Sequence, residues 1–423
     1  MQTSSNLALH KRAKVHRWSL IIGNLLEHFD SSLYGFLAPV IGRVFFPQFS
    51  PLYQIILAFS VYLITFVARP FGGIFFSKLT YQYGPLRVLS WSLLGVAFST
   101  GLMGLLPIAN DIGIFAPLLL IIVRFFQSFC AAGESAIAGY YLIENTEEKK
   151  HLSWSGLYHS STITGILFAS SISSLVLLSE HAEDLWRYPF IAGFFLGLWA
   201  LWLRFHYREI TSPLDSSFSH SYREIFLRLK CNSRLLLALI PIYGLSYLTY
   251  SIIFVFLNPF LTQTTDIPLS TLLQHTNTLF WLDAFLFPGV ALLLNRYNWR
   301  FGLLASAFLF MIGVTLLLTL PHLNGAGLFI LRLMMVIGGV GFASALVPWT
   351  NKLLAGKDKY LLHSVSYNLG SELFGRSAPF ICFWIYALNG VPASPLLYIL
   401  ALSVFACGLV LFLDKKTRIT NTS

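Results

Sequence analysis

Charged side chains make up only 11% of these 423 residues, less than half of the roughly 25% found in an ordinary soluble chain. A chain so poor in charge cannot cover itself with a wetted surface, and the soluble-enzyme classes are excluded on that ground. Cysteine is scarce too. Cys130, Cys231, Cys382 and Cys407 lie in apolar stretches or in a central loop, with neither a disulfide framework nor metal-ligand spacing among them. No glycine-rich phosphate loop or dinucleotide fingerprint follows a strand. Nor is there a nucleophile–base or metal constellation, which leaves a membrane enzyme as a distant reading. No cofactor and no metal is expected.

What the sequence has in abundance is apolar length. Hydrophobic residues make up 56% of the chain and aromatics 16%. A hydrocarbon core about 30 Å thick needs ~20 apolar residues per helix, and runs of that size recur along nearly the whole chain. They predict twelve spans, at 18–44, 52–76, 88–107, 113–141, 153–178, 187–204, 234–260, 271–294, 300–320, 326–349, 361–388 and 394–413. The expected fold class is therefore all-α and integral to the membrane. The first span is no cleaved signal peptide: its apolar region is too long, carries two acids and lacks a small-residue cleavage site.

The basic residues orient these spans. With the boundary residues Arg204, Arg234 and Arg300 counted in the loops they adjoin, six of the 28 Lys and Arg, namely Arg43, Arg69, Arg124, Arg187, Arg332 and Arg376, fall inside or at the ends of spans. The others all lie in the two termini and in every second loop, and the alternate loops hold none. This is the positive-inside pattern; it places both termini in the cytoplasm and explains the net charge of +10 without a nucleic-acid partner. The longest loop carries Arg204, Arg208, Arg223, Arg228, Lys230 and Arg234 and divides the chain six spans from six. The expected organisation is an N-terminal six-helix half over 1–204, a basic cytoplasmic linker over 205–233 and a C-terminal six-helix half over 234–423. A repeat of this kind implies a site near the midplane between the halves.

Several stretches carry a resemblance. They are Gly23-Asn-Leu-Leu-Glu-His-Phe-Asp, then Leu33-Tyr-Gly-Phe-Leu-Ala-Pro; Arg69-Pro-Phe-Gly-Gly; Arg124-Phe-Phe-Gln-Ser-Phe-Cys-Ala-Ala-Gly-Glu134, continuing to Tyr141-Leu-Ile-Glu144; Trp186-Arg-Tyr-Pro-Phe190; and Tyr367-Asn-Leu-Gly with Phe374-Gly-Arg-Ser-Ala-Pro379. Together they resemble the metabolite–proton symporters of the major facilitator superfamily, which include proline/betaine, α-ketoglutarate, citrate and shikimate permeases. The resemblance is specific in the first half and thinner in the second. It implies the major facilitator fold of twelve helices in two six-helix halves. It also implies proton-coupled import of a small organic solute, a carboxylate or a zwitterion, by alternating access in a bacterial inner membrane.

One departure stands out. Where that family reads Gly-His-Leu-Gly-Asp-Arg-Tyr-Gly-Arg-Lys between spans two and three, this chain reads Ser77-Lys-Leu-Thr-Tyr-Gln-Tyr-Gly-Pro-Leu86. Tyr81 replaces the acid that helps latch the cytoplasmic side in the superfamily, and the echo at Asn295-Arg-Tyr-Asn-Trp-Arg300 lacks the acid too. The latch is thus weakened or rebuilt from other groups. A transporter-like receptor or regulator that binds without transporting is the alternative this departure leaves open, beside a transporter of another organic acid or a sodium-coupled one.

The charges inside the spans are the candidate site. An ionised side chain at bilayer depth costs roughly 2.5–3.5 kcal/mol on insertion scales, so such residues face the bundle interior or a wet cavity. Glu27 and Asp30 are three residues apart on one helical face, which Tyr34 extends. Two acids so close do not both ionise in a dry site, which suits proton carriage; a helix brace is the plainer alternative. His28, where the family commonly has an aromatic residue, is expected to be a packed side chain. Arg124 and Gln127 share a face in the fourth span, with Glu134 further along it. A planar guanidinium suits a carboxylate, either the solute's or that of Glu27, Asp30 or Glu134. In the eleventh span Ser364, Asn368, Glu372 and Arg376 recur every four residues, and Glu372 ahead of Arg376 is the favourable order for an ion pair.

The assignments are accordingly Glu27, Asp30 and Glu134 to proton coupling, and Tyr34, Arg124, Gln127, His159, Tyr367 and Asn368 to the solute. Glu372, Arg376 and Tyr81 are assigned to gating or structural pairing. Asp283 and Arg332 either line the cavity or pair with each other. Gly338, Gly339 and Gly341 imply close helix packing. The expected partners are the solute, the proton and the bilayer, with no nucleic acid, and a monomer is expected.

Overall fold

The computed structural model describes residues 2–206, 222–294, 299–319, 324–354, 356 and 358–422. Twelve long helices account for most of them. They are α1 (Gln2–Phe45), α2 (51–83, through a 3-10 turn at Val61–Ile64), α3 (Pro85–Leu105), α4 (Phe115–Glu144), α5 (His151–Leu177), α6 (Arg187–His206), α7 (233–264), α8 (Leu269–Leu294), α9 (Trp299–Thr319), α10 (Gly325–Leu353), α11 (359–389) and α12 (Ala393–Thr422). Each overlays one of the twelve expected spans. Among the described residues, nine helices, all but α1, α6 and α11, are long and apolar enough to cross a membrane by length and composition.

Local chemistry sets the breaks. Gly84, at φ 82°, ends α2 in a conformation that favours glycine, and Pro85 then starts α3 with its pre-set φ. Asn324 caps α10 by accepting the Gly327 N–H at 2.8 Å, and Gly390 closes α11 at φ 66°. Helices α7 and α11 each pass through one π-helical turn, Ile252–Phe256 and Ser371–Arg376. Such turns widen the helix and release backbone carbonyls to other donors. The expected latch echo begins at 295–298 and most of the linker lies at 207–221; both stretches are outside the described residues.

By contact the chain divides into two compact units, Met1–Leu142 with Ser161–Ser221, and Ile143–Ser160 with Tyr222–Ser423. In the first, the apolar stripe of α1 (Leu33, Leu37, Ile41 and Phe45) packs with Met103, Leu120, Trp186 and Phe190. Backbones approach closely where Gly72 of α2 faces the Phe129 carbonyl of α4, and where Gly165 of α5 faces the Leu25 carbonyl of α1. A side chain at either would collide, as is usual at small-residue crossings in membranes. In the second unit the glycine run of α10 lies on α9: a Cβ at Gly338 would stand 2.7 Å from the Phe310 nitrogen and 2.8 Å from the Ser306 carbonyl. That is the close packing the run implies.

Candidate functional site

In the first unit the polar residues of α1 separate into two groups. Glu27 turns towards α2, where Arg69 Nη2 donates to its Oε1 at 3.1 Å, and its Oε2 lies 2.8 Å from His28 Nδ1. Arg69 Nη1 reaches Ser135 Oγ of α4 at 3.4 Å, and all three of Glu27, Arg69 and Ser135 are buried. One turn before Glu27, Asn24 donates to Ser161 Oγ at 2.9 Å and to Thr162 Oγ1 at 2.8 Å on α5. His28 is therefore engaged with its own helix and its neighbour, with Nδ1 also 2.9 Å from the Asn24 carbonyl.

Asp30 has different company. Its Oδ2 accepts from Thr100 Oγ1 of α3, and from Gln127 Nε2 of α4 at 3.2 Å. Gln127 Oε1 in turn accepts from Arg124 Nη1 at 2.5 Å, and the Arg124 guanidinium lies 4.3 Å over the centre of the Tyr34 ring. Tyr34 is fixed by donating its hydroxyl to the Ala58 carbonyl at 2.7 Å. The other oxygen of Asp30, Oδ1, has no hydrogen-bond partner among the described residues. It faces α6 where Gly193 leaves room: a Cβ there would stand 3.1 Å away. The result is a buried relay from a guanidinium, through an amide, to a carboxyl held only by neutral donors.

Glu134 is placed elsewhere again. Both of its oxygens meet the Arg204 fork, Oε1 with Nη2 at 2.7 Å and Oε2 with Nη1 at 3.0 Å. Arg204 also donates to the Leu89 carbonyl at 2.8 Å, and neither partner of the pair exceeds 1% exposure. A Cβ on Gly23 would stand 2.6 Å from Glu134 Oε1 and collide with Arg204 Nη2, so the opening glycine of the α1 motif makes room for this pair. Sequence reasoning counted Arg204 among the loop charges and gave Arg69 no role. The signal available for Arg69 was its place in a recognised motif; for Arg204 it was its position as the last residue of the sixth span.

In the second unit the residues of α11 form an aromatic and polar cluster with α7 and α10. Tyr367 and Tyr247 share a hydroxyl–hydroxyl bond of 2.5 Å, and the His363 ring stacks on Tyr367 at 6.0 Å. Tyr243 OH lies 2.5 Å from His363 Nδ1 and donates to Thr350 Oγ1 at 2.9 Å. Neither Tyr243 nor His363 was foreseen; both sit in spans where a single aromatic or imidazole carries no spacing signal. Asn368 is buried and turned back on its own helix, donating to the Ser364 carbonyl at 2.9 Å. Glu372 and Arg376 pair at 2.8 Å within the π-turn, and Arg376 lies 5.9 Å over Tyr247. Tyr81 of the first unit is buried at the end of α2.

His159 lies flat on Phe287 of α8, with ring centres 5.3 Å apart, beside Ser160, which donates to the Ala284 carbonyl at 2.7 Å. The segment that holds them, 143–160, is bound within the second unit by ion pairs too. Glu144 accepts from Lys359 and from the Tyr360 hydroxyl, and Glu148 pairs with Lys352. Nearby, Arg228 of the short helix Tyr222–Cys231 donates to Asp358 and Glu224, at 2.8 Å and 2.7 Å. Asp358, then Glu224, push that guanidinium above its ordinary value.

Arg332 of α10 does not meet Asp283. It is fully buried and donates to the Leu272 carbonyl at 3.4 Å, to Thr276 Oγ1 at 2.8 Å and to the Ile253 carbonyl at 3.0 Å. Ile253 belongs to the π-turn of α7, whose loosened ladder makes its carbonyl available.

Long apolar helices with buried polar clusters between them define a multi-pass membrane protein. The model of the Major Facilitator Superfamily matches residues 20–357, and the chain belongs to that superfamily. It is not an enzyme. It is 27% identical to a putative proline/betaine transporter of Staphylococcus aureus, over 97% of this chain and 90% of that one. A stretch of 187 residues, 43% of this chain and 37% of the relative, is 33% identical to the proline/betaine transporter of Escherichia coli K12. Among solved structures, the proton:xylose symporter XylE superposes with a TM-score of 0.74 at 14% identity, covering 96% of each chain. The transporter FucP in its outward conformation gives 0.72 at 12% identity, over 95% of this chain and 99% of that one. At such identities these structures show the fold.

Proposed function

We propose that the chain imports a small zwitterion or carboxylate, of the proline and betaine kind, together with protons. It does so by alternating access in a bacterial inner membrane, with both termini and the 205–233 linker in the cytoplasm. The observation that carries this reading is the buried relay of Asp30, Thr100, Gln127 and Arg124. Among the three acids assigned to coupling, Asp30 keeps an oxygen without a partner and has only neutral donors on the other. Glu27 and Glu134 stand against arginines. In this reading Asp30 carries a proton, while Arg124, steadied by Gln127 and the Tyr34 ring, takes the carboxylate of the solute. Binding of that carboxylate changes the field at Asp30 through Gln127, and so links solute to proton. The names of the curated relatives support the substrate class.

The test is uptake into proteoliposomes. Wild-type protein should concentrate labelled proline or glycine betaine when an inward proton gradient is imposed. Asp30→Asn should lose that accumulation yet still exchange solute across the membrane at symmetric pH. Accumulation by the Asn variant that still follows the pH gradient would remove Asp30 from the mechanism.

A further inference from the structure

Asp283 is a carboxyl without company. It lies near the middle of α8, between Phe280 and Phe287 on the same helix, and only 4% of it is accessible. Its neighbours show which way it faces: Trp281 and Phe285 are 48% and 73% exposed and form the outer face, while Asp283, Ala284 and Phe287 form the inner one. Ala284 and Phe287 are the positions that Ser160 and His159 pack against. Among the described residues Asp283 has no hydrogen-bond or ion-pair partner.

Arg332, Lys352 and His151, on the elements packed against α8, have partners of their own, and the imidazoles of His159 and His275 pack against aromatic rings. Arg332 donates to two carbonyls and a hydroxyl, and Lys352 pairs with Glu148. His151 Nε2 lies 2.9 Å from the Thr146 carbonyl, and His159 is stacked on Phe287. His275, on α8 itself, packs edge-on to Phe329, and Tyr250 packs on Phe280.

A carboxyl that faces the interior of a membrane bundle with no cation and no donor beside it is expensive to leave ionised, and such residues are kept for ion or proton pathways. We propose that Asp283 is a proton-binding site of the second unit, separate from Asp30, which takes a proton from water on one side of the membrane and returns it on the other. This rests on the reading of the chain as a proton-coupled transporter, and doubles the number of carboxyls that a coupled cycle loads.

Two measurements test it, and only one needs a solute. In the first, infrared difference spectra of the purified protein are recorded across a pH jump. Of the carbonyl bands of protonated carboxyls that appear in wild type, one should vanish in Asp283→Asn and move in Asp283→Glu, while that of Asp30 stays. In the second, proteoliposomes compare proline accumulation under an imposed pH gradient with proline exchange at symmetric pH. Asp283→Asn should lower the ratio of accumulation to exchange at least tenfold, and Asp283→Glu should restore it. An unchanged set of carboxyl bands in Asp283→Asn overturns the proposal, as does an unchanged ratio. If wild type moves neither proline nor glycine betaine, the transport reading fails, and the infrared bands alone decide whether Asp283 binds a proton. If the Asn variant does not fold, the shift of the band in Asp283→Glu decides it.

Discussion

Glu134→Gln removes one charge from the most completely buried ion pair of the first unit. Arg204 would keep its bonds to the Leu89 and Ser19 carbonyls but lose the carboxylate it meets at 2.7 Å and 3.0 Å. Breaking a buried pair from one side costs roughly 3–5 kcal/mol, because the remaining charge is left in a dry site. The unfolding entropy of globular chains is about 2.1 cal/mol/K per residue, or roughly 0.9 kcal/mol/K for a chain of this length. The melting temperature should therefore fall by about 3–6 °C. The native cysteines supply the assay, since Cys382 is buried and Cys130 and Cys407 are half-buried, so a thiol-reactive fluorophore reports their exposure on heating in detergent. Replacing both partners, as Glu134→Gln with Arg204→Met, should recover most of the loss, since no unpaired charge remains. A Glu134→Gln protein that melts with wild type, yet no longer concentrates solute against a pH gradient, would refute the bracing role and return Glu134 to proton coupling.

Gly23→Ala pushes a methyl into the same pair and should lower the melting temperature in the same assay; a neutral outcome would mean that the pair shifts at no cost. Arg124→Lys keeps the charge but loses the planar fork, and should weaken solute binding by ~1–3 kcal/mol, or roughly 5- to 150-fold in Kd, measured by scintillation proximity; an unchanged affinity would leave Arg124 a structural group. A single cysteine placed in 205–233, after removal of the native four, should resist a membrane-impermeant maleimide in intact cells, and labelling from outside would invert the topology. Glu144→Gln with Glu148→Gln removes the acceptors that hold 143–160 to Lys359, Tyr360 and Lys352, and should speed hydrogen exchange in that segment; unchanged protection would place the hold in the His159–Phe287 and Ser160–Ala284 contacts instead.

Much of the fold was legible because the bilayer asks a local question. Each span must be apolar over about twenty residues, and every helix can be counted by reading along the chain. The glycine run of α10 was legible for the same reason, since small residues recurring on one face have few uses other than a close crossing. The candidate residues of the site were legible too, as polar side chains in places where burial is expensive. Their partners were not. Glu27 and Asp30 share a helical face by spacing, yet Glu27 meets Arg69 of α2 and Asp30 meets Thr100 and Gln127 of α3 and α4. Glu372 and Arg376, four residues apart on one helix, were the exception: their pair closes within a single element.

The sequence by itself determined that this chain is a multi-pass membrane protein of twelve long helices and which charges lie within them. Each of those follows from the cost of moving one side chain into hydrocarbon, whoever its neighbours are. Only the tertiary structure decided that Glu134 lies against Arg204, 70 residues away, that Arg332 turns to the π-turn of α7, and that Asp283 is left without a partner among the described residues. The physical reason is that an ion pair requires two side chains to meet within about 4 Å. Where helices cross, and at which turn they face each other, is set by backbone contact at residues such as Gly72, Gly165 and Gly338, far along the chain from the charges they bring together.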